Sequence, residues 1–90
     1  MFYFYILECA DNKRYYGYTN NLKKRLSEHQ RGKDRATRPR RPLTLVYYEE
    51  CGTKTDAIKR ERQFKQGRTR KSTIDKLIAE FPTDRLSEFR

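Results

Sequence analysis

Arg25 and His29 stand four residues apart, one helical turn, so their side chains can reach the same point in space. Glu61 poses a different question. On a helix it shares a face with Ala57, Ile58, Phe64 and Lys65, which puts a carboxylate in the middle of an apolar stripe. Burying it costs several kcal/mol unless a cation compensates: Arg25, a lysine or a divalent metal. The N-terminal stretch YFYILECADNKRYYGYT adds phenols, with five of the seven tyrosines in the first eighteen residues and Gly17 among them. A glycine inside a strand often marks the close approach of a ligand or another backbone. Each residue also has a plain structural reading. Arg25 snorkels from the stripe's edge, His29 is a satisfied boundary residue, Glu61 joins a buried ion pair, and Gly17 marks a bulge beneath a helix.

Positioning these residues requires elements, and the periodicities supply them. FYFYILEC (2–9) is aromatic and β-branched on both alternating faces, the pattern of a central strand covered on both sides. Turn residues Asp11–Lys13 lead into a second strand, RYYGYT (14–19). A three-residue loop there pairs Ala10 with Arg14 and sets Gly17 opposite Leu7. It places Tyr3, Tyr5, Leu7, Tyr15, Gly17 and Thr19 on one face; a one-residue slip would turn them all over. Asn20-Asn21 caps a helix from Leu22 that Gly32 ends, with Leu22, Arg25, Leu26 and His29 as its inward stripe. Residues 33–42 read as an irregular basic loop, and LTLVYYEE (43–50) as the third strand. A helix from Thr53 or Thr55 to Gln66 follows, then another over Ser72–Glu80 with Ile74, Leu77 and Ile78 on one face. The order ββαβαα predicts an α+β fold, a small three-stranded mixed sheet flanked by helices. One domain is expected over 1–82, with a short tail over 83–90.

Composition narrows the partners. The 90 residues carry a net charge of +10 with pI near 9.9; 38% are charged and only 34% apolar. Such a field concentrates polyanions, nucleic acid before anionic membrane. No run approaches the ~20 apolar residues of a membrane span, and MFYFYILEC lacks the marks of a signal peptide. Two cysteines, Cys9 and Cys51, are too few for a disulfide framework or a zinc site and read as free thiols in a reducing cytoplasm.

Tyr3-Phe4-Tyr5, Tyr15-Tyr16-Gly17, Leu22-x-x-Arg25-x-x-x-His29, Thr37-Arg38 with Arg41-Pro42, and Ala57-Ile58-Lys59-Arg60-Glu61 with Lys65 one turn on occur in one order. In that order and spacing the chain resembles the GIY-YIG nuclease superfamily, in its small stand-alone UPF0213/YhbQ-like branch. The resemblance runs from about Phe2 to Lys71. The first motif lacks its Gly and Ile, and a later Asn of some members has no placed equivalent.

The resemblance implies metal-assisted phosphodiester hydrolysis, with DNA as substrate and one Mg²⁺ or Mn²⁺ as cofactor. Glu61 would hold that ion, and Arg25 would neutralise charge growing on the phosphate. Tyr5 would orient or deprotonate the water, His29 would relay the proton or hold the tyrosine, and Tyr15 would shape the pocket. Gly17 would let the scissile phosphate approach the sheet. Arg31, Lys33, Arg35, Thr37, Arg38, Arg40, Arg41 and Lys65 are the candidate nucleic-acid contacts, giving affinity without sequence information. A non-catalytic nucleic-acid-binding adaptor on the same fold and an RNA-associated basic protein stand as alternatives. Strand state, any targeting partner protein and oligomeric state are left open by the sequence.

Overall fold

The computed structural model describes residues 1–89. Three strands, β1 (Phe2–Glu8), β2 (Arg14–Thr19) and β3 (Thr44–Cys51), form one sheet in the order β2-β1-β3. Both pairings are antiparallel, so the sheet is not mixed. The helices are α1 (Leu22–Gln30), α2 (Lys54–Lys65), α3 (Lys71–Glu80) and a single turn, α4 (Thr83–Leu86).

The hairpin turns one position earlier than its turn residues suggest. Cys9 N–H donates to the Lys13 carbonyl at 2.9 Å and Asn12 N–H to the Cys9 carbonyl at 3.0 Å, so the loop is Ala10–Asn12. Asn12 takes φ 64°, the left-handed residue that closes a type I turn and lets the strands resume. The pairing therefore places Gly17 opposite Tyr5 and Tyr15 opposite Leu7. The face assignment is the expected one, because the slip is by two residues and not by one.

β1 is buried on both sides, as its doubly apolar pattern requires: Phe4, Tyr5, Ile6 and Leu7 are at most 1% exposed. On one face Phe64 of α2 packs tilted against Phe4 at 4.6 Å between ring centroids and against Tyr16 at 5.5 Å. Burying a ring of that kind stabilises by roughly 1.5–3 kcal/mol. On the other face α1 brings His29 against Tyr5. Asn21 caps α1 through Lys24 N–H, and Thr53 caps α2 through Asp56 N–H, both at 3.1 Å. Gly32, at φ 77°, ends α1 with Lys33 N–H on the Glu28 carbonyl and its own N–H on His29, which turns the chain back towards the sheet.

Beyond Pro82 the chain folds back on β3. Leu86 is buried in the core, Arg85 lies 4.9 Å over the rings of both Tyr48 and Phe81, and Phe89 meets Tyr48 at 5.4 Å. Cys9 and Cys51 are both buried free thiols.

Candidate active site

Tyr5 points from the central strand across β2, directly over Gly17. A β-carbon at position 17 would lie 2.5 Å from the Tyr5 hydroxyl oxygen and 2.7 Å from Cζ. The bare position thus houses a phenol. This corrects the expectation that it opens the sheet to a phosphate: the register shift that sets Gly17 opposite Tyr5 fills the space from within. Gly17→Ala should destabilise the fold by about 1–3 kcal/mol through overpacking and displace the phenol. An unchanged urea midpoint would contradict that placement.

The Tyr5 hydroxyl lies 2.9 Å from His29 Nε2, and His29 Nδ1 lies 2.8 Å from Thr37 Oγ1. His29 and Thr37 are both 0% exposed. Burial, reinforced by Tyr15, pushes the Tyr5 phenol well above its ordinary value despite Arg25, so the phenol is neutral in the free protein. Burial and Arg25 push His29 down, against the weaker pull of Asp34 and Glu28. Thr37, expected to contact nucleic acid, instead supports the imidazole from inside the fold. The loop hides it because a hydroxyl partnered with a buried ring nitrogen need not reach water.

The His29 shift has a measurable sign. Its folded value lies below the unfolded one, so the unfolded chain takes up a proton that the folded chain resists, and stability falls as pH drops below about 6.5. Arg25, Glu28, Asp34, Tyr5 and Tyr15 face this ring. The urea midpoint should fall between about pH 7.5 and 5.5, above the ordinary carboxylate range. His29 is the chain's one histidine, so His29→Gln should abolish that fall, and persistence of the slope would refute the assignment.

Arg25, on the turn of α1 before His29, pairs with the Asp34 carboxylate through Nη2 and with Glu28 Oε1 at 3.4 Å through Nη1. Asp34 also accepts from Ala36 N–H at 2.9 Å. Burial pushes its carboxyl up, but that N–H and the Arg25 guanidinium outweigh it and hold the group below its usual range. Sequence reasoning passed over Asp34. Its signal was present: it is the lone acid in the basic stretch 31–42.

Glu61 lies between buried Ala57 and Phe64 on α2, with its side chain 17% exposed. Its partner is not Arg25 but Lys65, whose Nζ sits 3.7 Å from Oε2 and 5.7 Å from the Tyr15 ring centroid. Tyr15 in turn meets His29 at 5.2 Å and Tyr5 at 6.4 Å between centroids. Tyr5, Tyr15, Gly17, Arg25 and His29 thereby share one side of the β1–β2 hairpin, while Glu61, on α2, is linked to this group through Lys65 and Tyr15. Among the described residues no three His, Cys, Asp or Glu side chains cluster as a metal cage. One partly open carboxylate beside a phenol suits a hard ion that keeps most of its shell as water and substrate oxygens, and it does not suit zinc.

The basic loop divides into tethers and free charges. Arg38 Nε donates to the Gly32 carbonyl at 2.7 Å, Arg40 Nε to Asp11 at 3.1 Å, and Arg41 to the carbonyls of Arg38 and Gln30. These arginines hold the loop to the scaffold, so much of their donor capacity is spent within the protein. Arg31, Lys33 and Arg35 are exposed beside the site. Basic surface continues round α2, where a hollow of about 690 Å³ is lined by Lys59, Arg62 and Arg68 among others.

Residues 1–75 match the family described as the GIY-YIG catalytic domain. A UPF0213 protein of Pediococcus pentosaceus is 50% identical over 74 residues, covering 81% of this chain and 77% of its own. Another, of Bacillus pumilus, is 47% identical over 73 residues, covering 80% and 74%. The solution NMR structure of a UPF0213 protein from Bacillus halodurans is similar at a TM-score of 0.54 and 33% identity, over 88% of this chain and 84% of that one.

Proposed function

The chain belongs to the GIY-YIG family, in its UPF0213 branch, and on that premise we propose that it is a metal-dependent endonuclease that hydrolyses DNA. The observation that carries the reading is a fully buried phenol–imidazole pair, Tyr5 and His29, held beside the charge of Arg25. Phosphodiester hydrolysis can use each part of that combination. A water oxygen must bond to phosphorus while the bond to the leaving sugar oxygen breaks. The attacking water must lose a proton, and negative charge grows on the phosphate oxygens.

Arg25 is placed to meet that charge, since a guanidinium binds two oxygens at once. Its carboxylate partners, Asp34 and Glu28, keep it aimed in the free protein and yield one face of it to the phosphate. Tyr5 orients the water and takes its proton; its raised pKa means that positive charge must arrive with the substrate before it acts as a base. Glu61 would hold one Mg²⁺ or Mn²⁺, which supplies that charge and stabilises the leaving oxygen. His29 holds the Tyr5 oxygen, and Tyr15 and Lys65 close the site on the α2 side. Arg31, Lys33 and Arg35 lead the backbone of the nucleic acid in, with Lys65 and the free donors of Arg38, Arg40 and Arg41 at the margins.

One observation favours the competing adaptor reading: Arg25 already has two carboxylates on it. A cleavage panel over single-stranded, duplex and branched DNA and RNA separates the two. With Mg²⁺ or Mn²⁺, DNA cleavage should appear and should stop on chelation. Salt-dependent binding without cleavage of any substrate would establish the adaptor. In the same assay, Arg31→Ala, Lys33→Ala and Arg35→Ala should each weaken binding across sequences and lower the salt slope by about one. A slope identical to the parent's would remove the loop from the substrate path.

A further inference from the structure

The geometry points to the outer face of α2 as a second nucleic-acid-binding surface, which takes the DNA backbone once it has crossed the edge of the sheet. The inference rests on the proposed function for where the scissile phosphate lies, but the surface itself stands on charge and topology.

The sheet has two covered faces. The basic loop lies on the Tyr5 face, since Thr37 meets His29 and Asp34 meets Arg25 there. α2 lies on the opposite face, where Phe64 meets Phe4 and Tyr16. β2 is an edge strand, and the Lys65 ammonium lies 5.7 Å from the Tyr15 ring, so the two faces are joined round that edge. Side chains on α2 advance by about 100° per residue. Glu61, Lys65, Arg62 and Lys59 therefore follow one another round the helix in steps of about 40–60°. They lead from the side that meets Tyr15 to the side that meets solvent.

That outer side is a hollow of about 690 Å³ whose lining includes Lys59, Arg62 and Arg68. All three are exposed, and none takes part in an ion pair among the described residues. Arg60, in the wall, is already engaged: Nε and Nη2 donate to the Glu49 carboxylate at 2.8 and 2.7 Å, and Nη1 donates to Gln63 at 2.9 Å. Asp56 is the one acid of the lining. Gly67, at φ 69°, turns the chain back after α2, and Arg68 N–H donates to the Gln63 carbonyl at 3.0 Å, which brings Arg68 to the hollow.

Three unmatched cations beside a fixed wall suit a row of phosphates, which they bind without reading sequence. An anionic membrane would need apolar side chains next to the charge, and none lines the hollow. With the loop on one face and the hollow on the other, the scissile phosphate falls inside the bound segment, as endonucleolytic cutting requires.

The test titrates the whole ¹⁵N-labelled chain with a duplex of about 20 base pairs in EDTA, so that nothing is cut. At about 3.4 Å per pair, such a duplex outreaches the 28 Å breadth of the molecule. The backbone amides of 59–68 and of 31–36 should shift together, at one duplex per chain. Lys59→Ala with Arg62→Ala should lower the salt slope of binding by about two. Lys23→Ala with Lys76→Ala removes the same charge elsewhere, beside Phe89 and on α3, and should keep the parental slope. All four residues are exposed and alanine favours helix, so both variants should fold; if either does not, the parent's shifts decide alone. Equal falls in the two slopes would assign binding to net charge and overturn the proposal. Unmoved amides over 59–68, or a second duplex per chain, would overturn it too. An engaged hollow in a chain that cuts nothing with Mg²⁺ or Mn²⁺ would retire the nuclease reading and leave the surface standing.

Discussion

Glu61→Ala should abolish metal-dependent cleavage while leaving the fold and most nucleic-acid binding intact. The proposed ion finds one protein carboxylate, so no second acid can take over the role, and ligation fails with the side chain. Charge stabilisation by such an ion is worth several kcal/mol, and its loss should lower the rate by about three powers of ten or more. Stability should hardly move, because Glu61 is partly open and its protein partner is an exposed lysine 3.7 Å away. Binding should persist because the basic loop does not depend on this residue. The measurements are a single-turnover cleavage rate, a urea midpoint and an affinity for the same DNA. Cleavage by Glu61→Ala at the parental rate would sink the metal mechanism, whereas joint loss of fold and binding would mean that the carboxylate is structural.

Arg25→Ala is the second large effect. Removing a guanidinium that answers charge on a transferring phosphoryl group costs about 10³–10⁵ in rate where such arginines have been assigned. A further penalty is specific to this site. Without Arg25, the Asp34 carboxylate is left beside His29 and Tyr5 with no guanidinium partner, and its charge opposes formation of a phenoxide. The loss should therefore fall on kcat, with KM little changed, since the interaction strengthens as charge develops. Arg25→Lys should recover little, because a point charge cannot serve a carboxylate and a phosphate with one planar fork. A rate within about tenfold of the parent's, ~1.4 kcal/mol, would remove Arg25 from the chemistry.

Much of the frame was legible in the sequence because its causes are local. The double-sided apolar run of β1, the helix caps at Asn21 and Thr53, and the four-residue spacing of Arg25 and His29 are all consequences of short-range periodicity. So was the oddity of Glu61, a charge on a stripe that also carries Ala57 and Phe64. The family was legible too, through the order of its motifs. Tertiary structure alone decided the rest. Which residue faces Gly17 depended on the left-handed turn at Asn12, where a shift of two residues keeps the faces but changes every partner. Strand direction across the whole sheet depended on how β3 returned to β1. The loop from 31 to 42 has no periodicity, so nothing in its composition separates Arg35, which faces water, from Thr37, which does not. Whether a polar side chain there binds a ligand or a neighbour is settled by hydrogen bonds to groups distant in the chain, Asp34 to Arg25 and Thr37 to His29. Such bonds exist only once the helix and the sheet have already met.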